Sequence, residues 1–300
     1  MLKKCILYSF LLMTVVSYAQ VVELPQDLRH HNLSLFNSSL LHPSQSLNSQ
    51  NRNTIAYWSR YQWQYIDGNP TTFYLNYTRQ LTTNSAIGVG LLQHNTGVFL
   101  NTGGMFNYAF SFKLAAKIEL AIGMNVMGYK SAFADHLFPP NPDISLPQLR
   151  TSDDFIVQFS PGVMFTMAGL SIGLTSENII DYNFSDREVH TRKEERIYLG
   201  VASYQIPLSV FMRNETFLEP MVYLKTTPND DSQIGLKILL RSEKFWLQGG
   251  YNSFYGVSGG VGGVFRKRFF VGALVEFGVD SRLKGKDPSF EIVTAFGFGQ

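Results

Sequence analysis

Two stretches of this chain, residues 55–64 and 71–78, alternate in side-chain character on either side of Asp67-Gly68-Asn69-Pro70. Period 2 marks a pleated strand with two unlike faces, and Asp-Gly-Asn followed by Pro predicts a tight turn that restarts the chain in extended form. In the first arm Ile55, Tyr57, Tyr61 and Trp63 fall on one face and Trp58, Arg60, Gln62 and Gln64 on the other. In the second, Thr71, Phe73, Leu75 and Tyr77 oppose Thr72, Tyr74, Asn76 and Thr78. An aromatic face backed by Arg, Gln and Asn suits a membrane barrel with lipid outside and a polar lumen inside, although a soluble sandwich has the same period.

Composition decides between the two. Aromatic residues make up 14% of the chain, charged residues only 16%, and there are 25 glycines, yet mean hydropathy is near zero at -0.03. After the N-terminus no apolar run approaches the roughly 18 residues a spanning helix needs. Hydrophobicity spread over alternate positions is the barrel pattern. The expected fold is all-β, a single transmembrane antiparallel β-barrel of outer-membrane type occupying 53–300, with about 14 strands.

Strand-like segments follow one another at hairpin spacing. Ile87, Val89 and Leu91 point outward in one; Phe106, Tyr108, Phe110, Phe112 and Leu114 in the next; Ile118, Leu120, Ile122, Met124 and Val126 in a third. Further on, Ile197, Leu199 and Val201 are assigned to the lipid side, as are Ile234, Leu236, Ile238 and Leu240. If the first strand rises from the periplasm, the connections at 82–84, 115–116, 168, 242–243 and 266–268 are periplasmic and very short, 206–216 being longer. Those at 130–153, 179–195 and 281–288 are outer and long, the asymmetry barrels of this class show.

Met1–Ala19 reads as a signal peptide: Lys3 and Lys4, the apolar run Ile6–Val16, then Ser17-Tyr18-Ala19 before Gln20. Cleavage there removes Cys5, the only cysteine, so no disulfide or thiolate metal site is expected. It also takes the 25 basic residues to 23, matching the 23 acidic ones, and no nucleic-acid partner is indicated. Residues 20–52 are polar and aperiodic, either a periplasmic lead-in or a segment folded into the lumen as a plug.

Gly88, Gly90, Gly123, Gly162, Gly173, Gly200 and Gly235 are assigned to inward faces, where they ease coiling of a closed sheet or leave room for another chain in the lumen. The inward charges Arg60, Lys113, Glu119, Lys237, Glu276 and Glu291 carry both signs and are expected to pair. An enzymatic reading rests only on Asp135-His136, Asp153-Asp154, His94 and His190, all assigned to outer loops where Asp and His are common. His30-His31 lacks a third metal ligand. No catalytic residue, cofactor or metal is expected.

The segment Arg60-Tyr61-Gln62-Trp63 through Asp67-Gly68-Asn69-Pro70-Thr71 resembles the Arg-x-Gln-Trp and Gly-x-Pro-x-Thr motif of the PorP/SprF family of type IX secretion outer-membrane proteins. Weaker likenesses lie at Ile87-Gly88-Val89-Gly90, Leu120-Ala121-Ile122-Gly123, Glu177-Asn178, Glu219-Pro220 to Lys225 and Phe245-Trp246-Leu247-Gln248-Gly249. The chain departs from the family at His42-Pro43-Ser44, where Asn-Pro-Ala is usual, at Asn252 in place of Arg, and at Asp287-Pro288-Ser289-Phe290-Glu291-Ile292 in place of Gly-Ser-His-Glu-Ile.

The resemblance implies an accessory role: a barrel among outer-membrane lipid that couples other secretion components, or a secreted adhesin with its C-terminal sorting domain, to the outer membrane. Arg60, Gln62, Trp63, Gly68, Pro70 and Glu291 are the candidate structural or partner-docking residues. A porin or a channel for hydrophobic solutes is the alternative.

Overall fold

The computed structural model describes residues 38–49, 51–63, 69–95, 99–133, 154–185, 187–189, 196–208, 216–226, 232–279 and 287–299. The signal peptide, His30-His31, Asp135-His136, Asp153, His190 and Gly68 lie outside the described residues.

Fourteen antiparallel strands close into a barrel. They are β1 (Asn53–Tyr61), β2 (Thr71–Thr82), β3 (Ser85–Asn95), β4 (Phe99–Ala115), β5 (Ile118–Phe133), β6 (Asp154–Met167) and β7 (Leu170–Ser176), followed by β8 (Tyr198–Tyr204), β9 (Phe217–Lys225), β10 (Gln233–Arg241), β11 (Phe245–Asn252), β12 (Gly256–Phe265), β13 (Phe269–Phe277) and β14 (Ser289–Phe298). Each pairs with its neighbour in sequence, and β14 returns to β1 in register from Asn53↔Phe298 to Tyr61↔Phe290. Closure leaves no unpaired edge, which hydrocarbon demands because it offers backbone groups no hydrogen-bond partner. β7 and β8 have only seven residues each. The wall is completed there by Ile180–Asn183 against the outer half of β6 and by Ile206–Pro207 against the start of β9.

Connections of two or three residues join β2–β3, β4–β5, β6–β7, β10–β11 and β12–β13 at one end, and the long ones from β5 to β6 and from β13 to β14 lie at the other with three-residue ones at β3–β4 and β11–β12. Leu91 and Leu174 are 66% and 62% exposed on the lipid face, while Tyr74, Asn107 and Glu291 on the opposite face are buried.

Three local assignments change. The strands of the first hairpin end at Tyr61 and resume at Thr71, so the connection is longer than a tight turn; the Gln62 N–H, donating to the Pro70 carbonyl 3.0 Å away, extends the pairing by one step. Trp63 therefore lies past the strand, at φ 49°, and is buried, not lipid-facing, because the alternation stops before it.

In β8 the faces are inverted. Leu199 and Val201 are buried in the lumen beside Leu41, Ala121, Met164 and Tyr223, and Gly200 lies on the lipid side with exposed Tyr198 and Tyr204. Both faces of this strand are apolar, so period 2 could not choose; an apolar lumen patch decided it. His94, finally, is not in a loop. It lies in β3, one residue before the strand's end, facing inward with its Nδ1 2.7 Å from the Thr72 hydroxyl.

Candidate functional site

The lumen is the candidate site, and side chains fill it in layers. At the end opposite the β12–β13 turn Trp63, Phe254 and Tyr255 pack together. Asn252 builds this layer: its Oδ1 accepts from the backbone N–H of Phe254 at 2.8 Å and of Tyr255 at 2.9 Å, and its amide donates to the Tyr223 hydroxyl at 2.8 Å. Asn252, where the resemblance in sequence leads one to expect arginine, thus caps the β11–β12 turn.

Beneath that layer Arg60 of β1 donates from both terminal guanidinium nitrogens, one to Glu276 of β13 and one to Glu291 of β14. Trp58 Nε1 donates to Glu291 Oε2 at 3.2 Å, and the Tyr255 ring lies 5.2 Å above the guanidinium. Lys237 of β10 is within electrostatic reach of both carboxylates and stands 5.5 Å from the Tyr223 ring. Two cations and two carboxylates are all but completely removed from water, where only pairing makes their burial tolerable. The cluster stitches the seam at which the first and last strands meet. Lys113 and Glu119 are different: they face each other in register at the mouth that carries the short turns, with Lys113 exposed.

A second buried ion pair, Lys225 Nζ to Glu177 Oε1 at 2.9 Å, braces the short wall. Asn178 Oδ1 beside it accepts from the Ile197 N–H at 2.7 Å, capping the start of β8. Alternation placed Lys225 inward, but nothing in the sequence paired it with a residue 48 positions earlier.

The third layer comes from the N-terminal segment. A helical turn, Ser38–Leu41, and a 3-10 helix, Pro43–Asn48, lie inside the barrel against β3 to β6. Leu40 joins the core of Trp58, Tyr74, Leu92, Met105, Met127, Trp246, Leu274 and Val293. Polar strand residues hold the segment by its backbone: Asn107 donates to the Pro43 carbonyl at 3.0 Å, Asn125 to that of Ser39 at 2.8 Å, and Gln80 to those of Leu47 and Ser49 at 3.1 and 2.7 Å.

Its tip is His42-Pro43-Ser44. A Cβ on Gly123 would lie 2.6 Å from the Pro43 carbonyl carbon and the Ser44 nitrogen, and one on Gly162 would lie 2.9 Å from both His42 and Pro43. Gly173 meets His42 at the same distance. Of the other glycines, Gly90 and Gly235 lie under the rings of Tyr74 and Tyr223, and Gly88 and Gly200 have roomier surroundings. Between segment and wall a cavity of about 40 Å³ remains, lined by Ser38, Ser46, Asn48, Thr54, Thr78 and Arg241. That is room for about three waters.

His42 is buried and neutral by design of its contacts. Nδ1 accepts from the Ser44 N–H at 3.3 Å, which leaves Nε2–H to donate to the Leu174 carbonyl at 3.1 Å. Burial pushes its pKa down from 6.5 to about 4, and hydrogen bonds to the Leu174 and Val163 carbonyls oppose this only in part. A depressed histidine pKa means that the docked state binds fewer protons than the undocked one. Docking is therefore at full strength above pH 6.5 and weakens as pH falls toward 4. Between pH 7.5 and 4.5 the purified barrel should lose roughly 2–3 kcal/mol through this residue. Urea midpoints of wild type and His42→Gln across that range check it: the wild type should fall more steeply, and parallel curves would remove the effect.

Among the candidate docking residues, Arg60 and Glu291 are in direct contact, Gln62 and Pro70 share the backbone hydrogen bond, and Trp63 reaches Arg60 through Tyr255. The sequence marks His42 only as a departure from the family pattern and Glu177 only as a likeness to it, and gives Asn107 and Asn125 no site role. Inward parity marked the two asparagines as lumen-facing, without a hint of what they bind.

In fold the chain is similar to the CymD monoaromatic hydrocarbon channel, with TM-score 0.52 and 9% identity over 88% of this chain and 93% of that one. It is similar also to a TodX monoaromatic hydrocarbon channel mutant, with TM-score 0.51 and 10% identity over 86% and 93%. At such identities the likeness concerns architecture alone. No curated protein matches the sequence. Residues 23–296 match the type IX secretion system membrane protein PorP/SprF family, a span that runs from ahead of the lumen segment almost to the end of β14. The chain therefore belongs to the PorP/SprF family and is a type IX secretion-associated outer-membrane β-barrel.

Proposed function

We propose that this barrel is a non-enzymatic accessory of the type IX secretion system, one that holds a partner at the outer membrane and does not pass solute. The partner is either another component of the machinery or a secreted surface adhesin with its C-terminal sorting domain. The observation that carries the reading is the filled lumen: an aromatic layer, a neutral charge cluster and a docked N-terminal segment occupy the space that a channel would leave to water.

In this reading 1–19 is removed as a signal peptide after Ala19, 20–52 supplies the plug and 53–300 is the barrel. Gln62, Trp63 and Pro70 shape the outer mouth as a docking surface on a frame fixed by Arg60 and Glu291.

Deletion of the gene, followed by quantitative comparison of surface and culture-medium proteomes, tests the role. The expected result is the loss from the surface, or the mislocalisation, of one or more secreted proteins, restored by complementation. Unchanged proteomes would remove the secretion role. The channel alternative predicts instead a defect in solute uptake.

A further inference from the structure

The end of the barrel that carries the short turns is ringed with cations. Arg52 just before β1, Lys117 in the β4–β5 turn, Lys244 in the β10–β11 turn, and Arg266, Lys267 and Arg268 in the β12–β13 turn are all exposed. Among the described residues the only carboxylate at turn level is Glu243, which Lys267 meets at 3.0 Å. Lys113 and Arg241, deeper at the mouth, have Glu119 and Glu219 near them.

The β12–β13 turn adds an independent observation. Arg266 and Lys267 both have left-handed φ, 53° and 54°, and the Arg268 N–H donates to the Phe265 carbonyl at 3.1 Å. This is the pattern of a type I′ turn, whose two central positions favour Asn-Gly. A side chain there costs about 1–2 kcal/mol per residue. The turn at Ala168-Gly169 uses glycine at its second left-handed position; this one keeps a long cation at each. A local rule broken without structural gain points to a functional surface.

We propose that this ring docks the acidic surface of a periplasmic polypeptide. The inference rests on the secretion role above and names the class of partner. Inner-leaflet headgroups fit less well. The turn lies past the lipid-facing Phe265 and Phe269 that bound it, and headgroups surround the side of a barrel, not its end. Opposed charges on two flat surfaces speed encounter and lose strength with salt.

The test is zero-length carbodiimide cross-linking in native outer-membrane vesicles, which joins a lysine amine to a carboxyl group as an amide with loss of water. The Lys267–Glu243 pair supplies an internal control. The expected result is that Lys117, Lys244 and Lys267 also link to Asp or Glu of one identified polypeptide, and that a high-salt wash beforehand prevents it. R266N/K267G should cut the links at Lys117 and Lys244 at least ten-fold while leaving thermal stability equal or higher, which separates lost docking from misfolding. K117E/K244E should do the same to links at Lys267.

Formation of the control link alone overturns the proposal, as do intermolecular links unchanged in both variants. Loss of bound anionic phospholipid from the variants, with no protein linked to the wild type, overturns it in favour of lipid. If deletion alters the surface proteome and the links are absent, only the docking surface falls; if the proteome is unchanged, the secretion role falls with it.

Discussion

Arg60→Met should destabilise the barrel by about 3–5 kcal/mol, the cost of leaving a buried ion without its partner. The substitution keeps the stem of the side chain and removes the cation that Glu276 and Glu291 share. Lys237 alone then faces two carboxylates. Charge balance, and not the arginine itself, is the relevant quantity, so Arg60→Met combined with Glu276→Leu should recover most of the loss. One cation and one carboxylate remain in that variant, and the removed groups are replaced by apolar volume. Urea midpoints of the refolded barrel in lipid measure both. Equal loss in the single and the double variant would show that the cluster works through some specific contact of Arg60.

Gly123→Leu should loosen the N-terminal segment without opening the sheet. The first side-chain carbon would collide with backbone atoms of Pro43 and Ser44, and neither can step aside as a flexible side chain would. Overpacking of this kind costs about 2–3 kcal/mol. It should be borne by the segment, whose anchors are hydrogen bonds from Asn107, Asn125 and Gln80 and not strand pairing. Amide exchange in residues 39–48 is then expected to accelerate roughly 30- to 150-fold, with the strand amides unchanged. Gly200→Ala, on the lipid face with its nearest neighbour 3.5 Å from the new carbon, is the control and should leave exchange at wild-type rates. Unchanged exchange in Gly123→Leu would mean that the segment is not held at this place.

What the residues disclosed, and what they withheld, follows from the range of the forces involved. A strand with unlike faces announces itself. Phe106, Tyr108 and Phe112 against Asn107 and Ser111 in β4, or Ile234, Leu236 and Ile238 against Gln233, Gly235 and Lys237 in β10, leave one orientation available in a bilayer. β8 failed for the converse reason: Leu199 and Val201 look no less lipid-facing than Tyr198 and Tyr204. Only the apolar lumen patch made by Leu41, Ala121, Met164 and Tyr223 sends the first pair inward.

Pairing across the lumen is longer-range still. Arg60 and Glu291 were both assigned inward, yet it is barrel closure that brings residues 231 positions apart into contact. The place of Ser38–Asn48 was the least legible feature. The segment has no periodicity, and its fit depends on three glycines far along the chain that read equally well as aids to sheet coiling.

The central claim is that the lumen of this PorP/SprF barrel is occupied, so that the protein serves secretion as a fixed scaffold and not as a passage. Planar-bilayer recording of the full-length purified protein tests this most directly. The prediction is a silent membrane at protein densities where a 14-stranded porin control conducts. Steady, reproducible open steps from the wild-type protein would contradict it.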